Sequence, residues 1–155
     1  MATAPLLELN DGRQMPVLGF GTYSIKDPEI YVEAIDAGYR LLDTATRYEN
    51  ETEVGRGIAE SPIPRDELFI TTKLPGDVHG SERPRIELEA SLERLGVDHV
   101  DLYLIHWPLL RVDKYVETWQ AMIALRNEGL TTSIGVSNFL PEHLDRLVAE
   151  TGVAP

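Results

Sequence analysis

Three polar residues stand where apolar runs stop: Asp43 closes RLLD, Lys73 closes FITTK and His106 closes LYLIH, with Tyr48 five residues past the first of them. If these runs are parallel strands, all four side chains share one rim. Together they suit protonation of an oxygen coupled to delivery of a second group to carbon. A free phenol, with a pKa near ~10, is a feeble acid at neutral pH, but a nearby ammonium favours its phenolate and so eases proton donation. Lys73 can supply that ammonium. A lysine beneath a pocket tends to lose its proton, and Asp43 opposes the loss with an attraction of roughly 4 kcal/mol at ~4 Å and an effective dielectric of ~20. His106 can donate an imidazole N–H to the same oxygen, holding it between two donors. None of these groups is a covalent nucleophile, and Lys73 would put a competing cation into any metal site built on Asp43 and His106. Each residue alone has a plainer role, as helix cap, snorkelling lysine, packed histidine or loop tyrosine. Their joint placement argues for chemistry, because clustering them costs solvation with no structural return.

The elements that must position these residues alternate. LLEL and RQMPVL flank an Asn-Asp-Gly turn and read as an N-terminal hairpin. VLGFGTY is then a strand, and DPEIYVEAIDAG a helix with Asp27 as N-cap, Pro28 at its first position and Gly38 past its end. RLLDT is the next strand, and NETEVGRGIAES opens a second helix with a capping pattern at Asn50 and Glu53. ELFITTK precedes a third helix, SERPRIELEASLERLG, with apolar positions Ile86, Leu88, Leu92 and Leu95 before Gly96. VDLYLIH precedes a fourth, ending at Gly129, and TTSIGVSN precedes a fifth, begun by Pro141. Short apolar strands in strict alternation with helices predict an α/β fold with a parallel sheet. An open dinucleotide-binding sheet would want Gly-x-Gly-x-x-Gly opening its first helix, and GFGTYS carries only the first two glycines. The (β/α)8 TIM barrel remains, and its chemistry sits at the C-terminal strand ends.

Bulk properties exclude other classes. Residues 1–155 are of a length for a single domain, and 14 basic against 26 acidic side chains, a formal charge of −12, repel nucleic acid and anionic membrane surfaces. The chain has no apolar stretch of about 18 residues, and MATAPLLELNDG lacks the basic flank and apolar run of a signal peptide, so the expected location is cytoplasmic. The absence of cysteine excludes disulfides and thiolate sites. The acidic run Glu49, Glu51 and Glu53 reads as a solvated face favoured by a helix N-terminus rather than a metal site. The Asn50 sequon is accidental in a chain that is not secreted.

The segments GYRLLDTATRYENETEVG, ITTKL, LYLIHWP and SIGVSNF, in this order and spacing, resemble the aldo-keto reductases across essentially the whole chain. The resemblance implies NADPH-dependent reduction of aldehydes and ketones, with Tyr48 as the acid and Asp43, Lys73 and His106 completing the tetrad. It also implies that Gly21, Thr22 and Tyr23 lie beside the nicotinamide or the substrate, with Asp43 near the same cofactor. Ser137 and Asn138 would hold its carboxamide. Trp107 would wall the substrate pocket, in which a small carbonyl compound meets Tyr23, Tyr48 and His106.

Against that family the chain stops after the fifth βα unit, whereas a barrel takes ~250 residues. The expectation is an N-terminal portion of the barrel, a hairpin plus five βα units, in a shortened chain, a cleaved product or half of a split barrel. Five strands taken from a barrel leave two open edges, so a complementary polypeptide supplying the missing strands is an expected partner. Two other functions stay open: a cofactor-binding regulatory subunit that does not turn over, and an inactive barrel fragment.

Overall fold

A computed structural model describes residues 4–155. Strands β1 (Leu6–Glu8) and β2 (Gln14–Pro16) form an antiparallel hairpin in which Leu7 faces Met15. Then follow β3 (Gly19–Gly21), α1 (Pro28–Asp36), β4 (Leu41–Asp43), α2 (Glu51–Glu60), β5 (Phe69–Leu74), α3 (Arg83–Leu95), β6 (Val100–Ile105), α4 (Tyr115–Glu128), β7 (Thr131–Val136) and α5 (Pro141–Thr151). The five strands from β3 to β7 pair in chain order, each parallel to the next. This is the layout of five consecutive units of a (β/α)8 barrel, with the sheet open beyond β3 and beyond β7 among the described residues. No helix among them is long and apolar enough to cross a membrane.

Local chemistry sets the element ends. The Asp27 carboxylate accepts the Glu29 N–H at 3.1 Å ahead of Pro28, which satisfies a donor that the first helical turn leaves free. All six residues of β5 are buried, as expected of a central strand covered on both faces. Trp119, Tyr31, Tyr103, Ile35, Leu42, Ile70 and Leu88 are fully buried in the main apolar cluster. Helix α2 carries two interior glycines, normally unfavourable in a helix. A Cβ on Gly55 would lie 2.5 Å from the Leu95 carbonyl oxygen, and one on Gly57 2.5 Å from Tyr31 Cβ, so their absence lets α2 seat closely against α3 and α1.

Four local expectations change. The strand expected over VLGFGTY shrinks to Gly19–Gly21, because the Val17 N–H pairs with the Pro5 carbonyl at 2.9 Å and continues the hairpin instead. Ile86 is exposed, because Leu88, Leu92 and Leu95 define the buried stripe of α3 and Ile86 falls on the opposite side. Asn50 makes no capping hydrogen bond, and its side chain turns into the core. Of the acidic run, Glu51 is buried rather than solvated.

Candidate active site

The parallel register brings the tetrad together. Asp43 pairs with Thr71, and Lys73, two residues on, projects from the same face of β5. Lys73 is 5% exposed. Its ammonium donates to Asp43 Oδ1, to the Thr44 carbonyl at 2.9 Å and to the Tyr48 hydroxyl oxygen at 3.3 Å, so all three N–H bonds are used. Tyr48 ends a single 3-10 turn, Thr46–Tyr48, that closes on Glu49 in the left-handed region at φ 52°. Because the phenol oxygen accepts from Lys73, its own proton is free to point elsewhere.

His106 follows β6 directly and its ring stands edge-on to Tyr48, with centroids 5.9 Å apart and planes 80° apart. Burial chiefly, and then the Lys73 charge, lower the His106 pKa below the ordinary imidazole value, with Asp43 opposing, so the ring is neutral at neutral pH. His106 Nδ1 is buried without a hydrogen-bond partner. An N–H left unsatisfied there would cost more than a lone pair, which puts the single ring proton on Nε2. Tyr48 and His106 therefore present two donors side by side.

The remaining expected residues divide in their placement. Gly21 pairs with Asp43 at the end of β3, and open space lies where its Cβ would be. Thr22 is fully buried, its hydroxyl donating to the Asp43 carbonyl at 3.1 Å, so its side chain is committed to structure. Tyr23 is 71% exposed and packs edge-on against Tyr48 at 5.1 Å between centroids. Trp107 is 54% exposed and, with His106, lines a cavity of about 390 Å³. Ser137 and Asn138 stand past β7. The Asn138 amide nitrogen donates to the His106 carbonyl at 2.8 Å and to Ser137 Oγ at 3.0 Å. That leaves the Asn138 carbonyl oxygen to accept and the Ser137 hydroxyl to donate, a pairing that fits a carboxamide.

Two residues that position this site carried only a misleading sequence signal. Asn50 accepts from Thr44 Oγ1 at 3.0 Å and donates to the Thr22 and Ile25 carbonyls at 2.7 and 3.0 Å, tying the loop after β3 to the loop after β4. Glu51 accepts from Thr72 Oγ1 at 2.5 Å, Ser91 Oγ at 3.2 Å and Arg94 Nε at 2.7 Å, fixing α2 to α3 and to the residue beside Lys73. Burial of the carboxylate is offset by these bonds.

The family model of the aldo/keto reductase family matches residues 17–155. Methylglyoxal reductase DkgA of Salmonella typhimurium is 48% identical over 158 residues, covering 100% of this chain and 57% of the relative. The 2,5-diketo-D-gluconic acid reductase B of a Corynebacterium is 49% identical, with the same coverage. Among solved structures, an aldo/keto reductase from Brucella melitensis superposes with a TM-score of 0.96 at 47% identity, over 100% of this chain and 60% of its own. A Bombyx mori aldo-keto reductase in complex with NADP gives 0.93 at 40% identity, over 100% and 57%. The chain thus spans a little over half the length of the relatives it matches.

Proposed function

This chain belongs to the aldo/keto reductase family, and from that premise we propose that it carries the catalytic half of an NADPH-dependent reductase of aldehydes and ketones. The observation that supports this most is the Lys73 ammonium, ion-paired to Asp43 and donating to the Tyr48 hydroxyl. Such an arrangement prepares a phenol to give up its proton, because the phenolate left behind already faces a cation.

In the proposed reaction the substrate oxygen sits between the Tyr48 hydroxyl and His106 Nε2. Bound NADPH supplies the hydride that adds to the carbonyl carbon. Tyr48 transfers its proton to the carbonyl oxygen, completing the alcohol, and Lys73 stabilises the resulting phenolate. Asp43 holds the ammonium in place and keeps it charged. His106, neutral and protonated on Nε2, orients and polarises the carbonyl without taking part as a base. Ser137 and Asn138 have the free acceptor and donor to hold the cofactor carboxamide, and the open backbone at Gly21 leaves room beside Asp43. Relatives named for methylglyoxal and for 2,5-diketo-D-gluconic acid favour small dicarbonyls as the first substrates to try. The working enzyme as proposed includes further strands on the free edges of β3 and β7, from a longer polypeptide or a complementary one.

The experiment is Tyr48→Phe, assayed by NADPH oxidation with methylglyoxal. Loss of a general acid costs ~10²–10⁴ in kcat, with NADPH affinity nearly unchanged. A variant that keeps a tenth of wild-type kcat contradicts the proposal.

A further inference from the structure

The cavity beside His106 has a second wall that the tetrad does not use. Its lining includes Arg47 from the turn after β4, Asp77 from the loop after β5, and Trp107, Leu109 and Arg111 from the loop after β6. In a chain with almost twice as many acidic as basic side chains, two guanidiniums against one carboxylate around one cavity depart from the general balance. Arg47 Nη2 pairs with Asp77 Oδ1 at 2.9 Å, which anchors it across the cavity mouth. Arg111 makes no ion pair and no hydrogen bond among the described residues. The indole of Trp107 supplies a flat apolar wall whose seat is set by Gly76, since a Cβ there would come within 3.1 Å of Trp107 Cβ.

From this we propose that Arg47 and Arg111 form an anion subsite, so that the enzyme prefers carbonyl substrates bearing a carboxylate on an apolar or aromatic body. The proposal rests on the reductase reading and names its substrate class. The carbonyl lies at His106 and Tyr48, the body lies against Trp107, and the carboxylate reaches the guanidiniums. Arg111 has a free planar fork that matches a carboxylate, whereas Arg47, already held by Asp77, adds charge without needing to move. Arg47 also acts on the tetrad: after burial and Lys73, it is a further cation lowering the His106 pKa, which places its field at the reacting end of the cavity. The cofactor residues proposed above, Gly21, Ser137 and Asn138, do not line this cavity.

The test compares para-carboxybenzaldehyde with methyl para-formylbenzoate, two aldehydes that differ mainly in charge, using the full-length enzyme. The ratio of their kcat/KM values should favour the acid and fall by about tenfold in Arg111→Ala, because a charge-assisted hydrogen bond at an exposed site is lost. Arg47→Ala should lower the same ratio, Arg111→Lys should restore part of it, and added salt should depress it in the wild type. An unchanged ratio in both alanine variants overturns the proposal, as does a loss of NADPH affinity in Arg111→Ala larger than the loss for the acid. If the protein turns over neither aldehyde, the reductase reading fails. In that case a titration with benzoate, followed by tryptophan fluorescence, still decides the subsite. Salt-sensitive binding that disappears in Arg111→Ala upholds it, and absence of binding refutes it.

Discussion

The two ends of the parallel sheet solve the same geometrical problem with different residues. At the end where helices lead back into strands, and in the β1–β2 turn, the left-handed positions belong to glycine: Gly12, Gly38, Gly96 and Gly129. At the other end, where strands run out into loops, Gly80 is joined by Ser24, Glu49, Leu109, Asp113 and Asn138, which adopt positive φ despite their side chains. Each such residue costs of order 1–3 kcal/mol, and that cost is tolerated only where the surroundings fix the conformation. Polar satisfaction differs in degree. At the first end Arg65 donates to the Leu68 and His99 carbonyls and to Asp101, which also accepts the Ile70 N–H, while its Nε stays buried without a partner. At the second, His106 Nδ1 and both ring nitrogens of His79 are buried without partners among the described residues. One end is built for closure. The other holds side chains in positions that stability alone would not select, with Glu49 directly after Tyr48 and Asn138 beside His106.

The contrast can be sharpened by substitution. The largest effect is expected at the fixed core of the strand-end rim: Lys73→Met should lower kcat by ~10² or more, since Tyr48 loses the cation facing its phenolate. Trp107→Ala, on the exposed part of the same rim, should act mainly on KM and by about tenfold or less, because a pocket wall binds ground and transition states alike. Similar kcat losses for the two would erase the distinction between fixed centre and open wall. A smaller effect, on stability, is expected from Arg94→Ala. It leaves the buried Glu51 carboxylate without its ion partner, at a cost of about 3 kcal/mol, the lower end for a broken buried pair because Arg94 is partly exposed. Urea unfolding checks this, and an unchanged midpoint would show that Thr72 and Ser91 suffice.

The smallest effect is in pH dependence. Burial lowers the pKa of both His79 and His106 below the ordinary imidazole value of 6.5. The unfolded chain then takes up protons first as pH falls, so the stability tied to these residues is complete above about 6.5 and is lost progressively below it. His79→Gln should flatten the decline between about pH 7 and pH 5 while sparing kcat. A decline as steep as in the wild type would remove His79 from the account.

Much of this rim was legible in the sequence, because a parallel strand places its last residue at the rim whatever the loops do. Asp43 at the end of β4, Lys73 one residue before the end of β5 and His106 one residue past β6 stand at the rim expected from position, and Tyr48 follows in the turn after Asp43. What misled were residues whose local pattern resembled a simpler motif. Asn50 and Glu53 have the spacing of a capping box, yet the Asn50 amide finds its partners in the loop after β3 and at Thr44 in the loop after β4. Glu51 sits in a run of acids at a helix N-terminus, and only the approach of α3 with Arg94 shows that it is buried. Arg47 and Arg111 carried no signal, because they lie 64 positions apart and meet only where the loops after β4 and β6 fold over one cavity.

The central claim is that Lys73 acts through Tyr48, and a double-mutant cycle on single-turnover carbonyl reduction tests it most directly. Tyr48→Phe, Lys73→Met and the double variant are each compared with the wild type at saturating NADPH. If the ammonium serves only to receive the phenolate, its loss should cost little once the phenol is gone, so the double variant should be about as slow as Tyr48→Phe alone. Losses that multiply, with the double variant slower than Tyr48→Phe by the full factor of Lys73→Met, would mean that Lys73 assists the reaction independently of Tyr48, and would contradict the account.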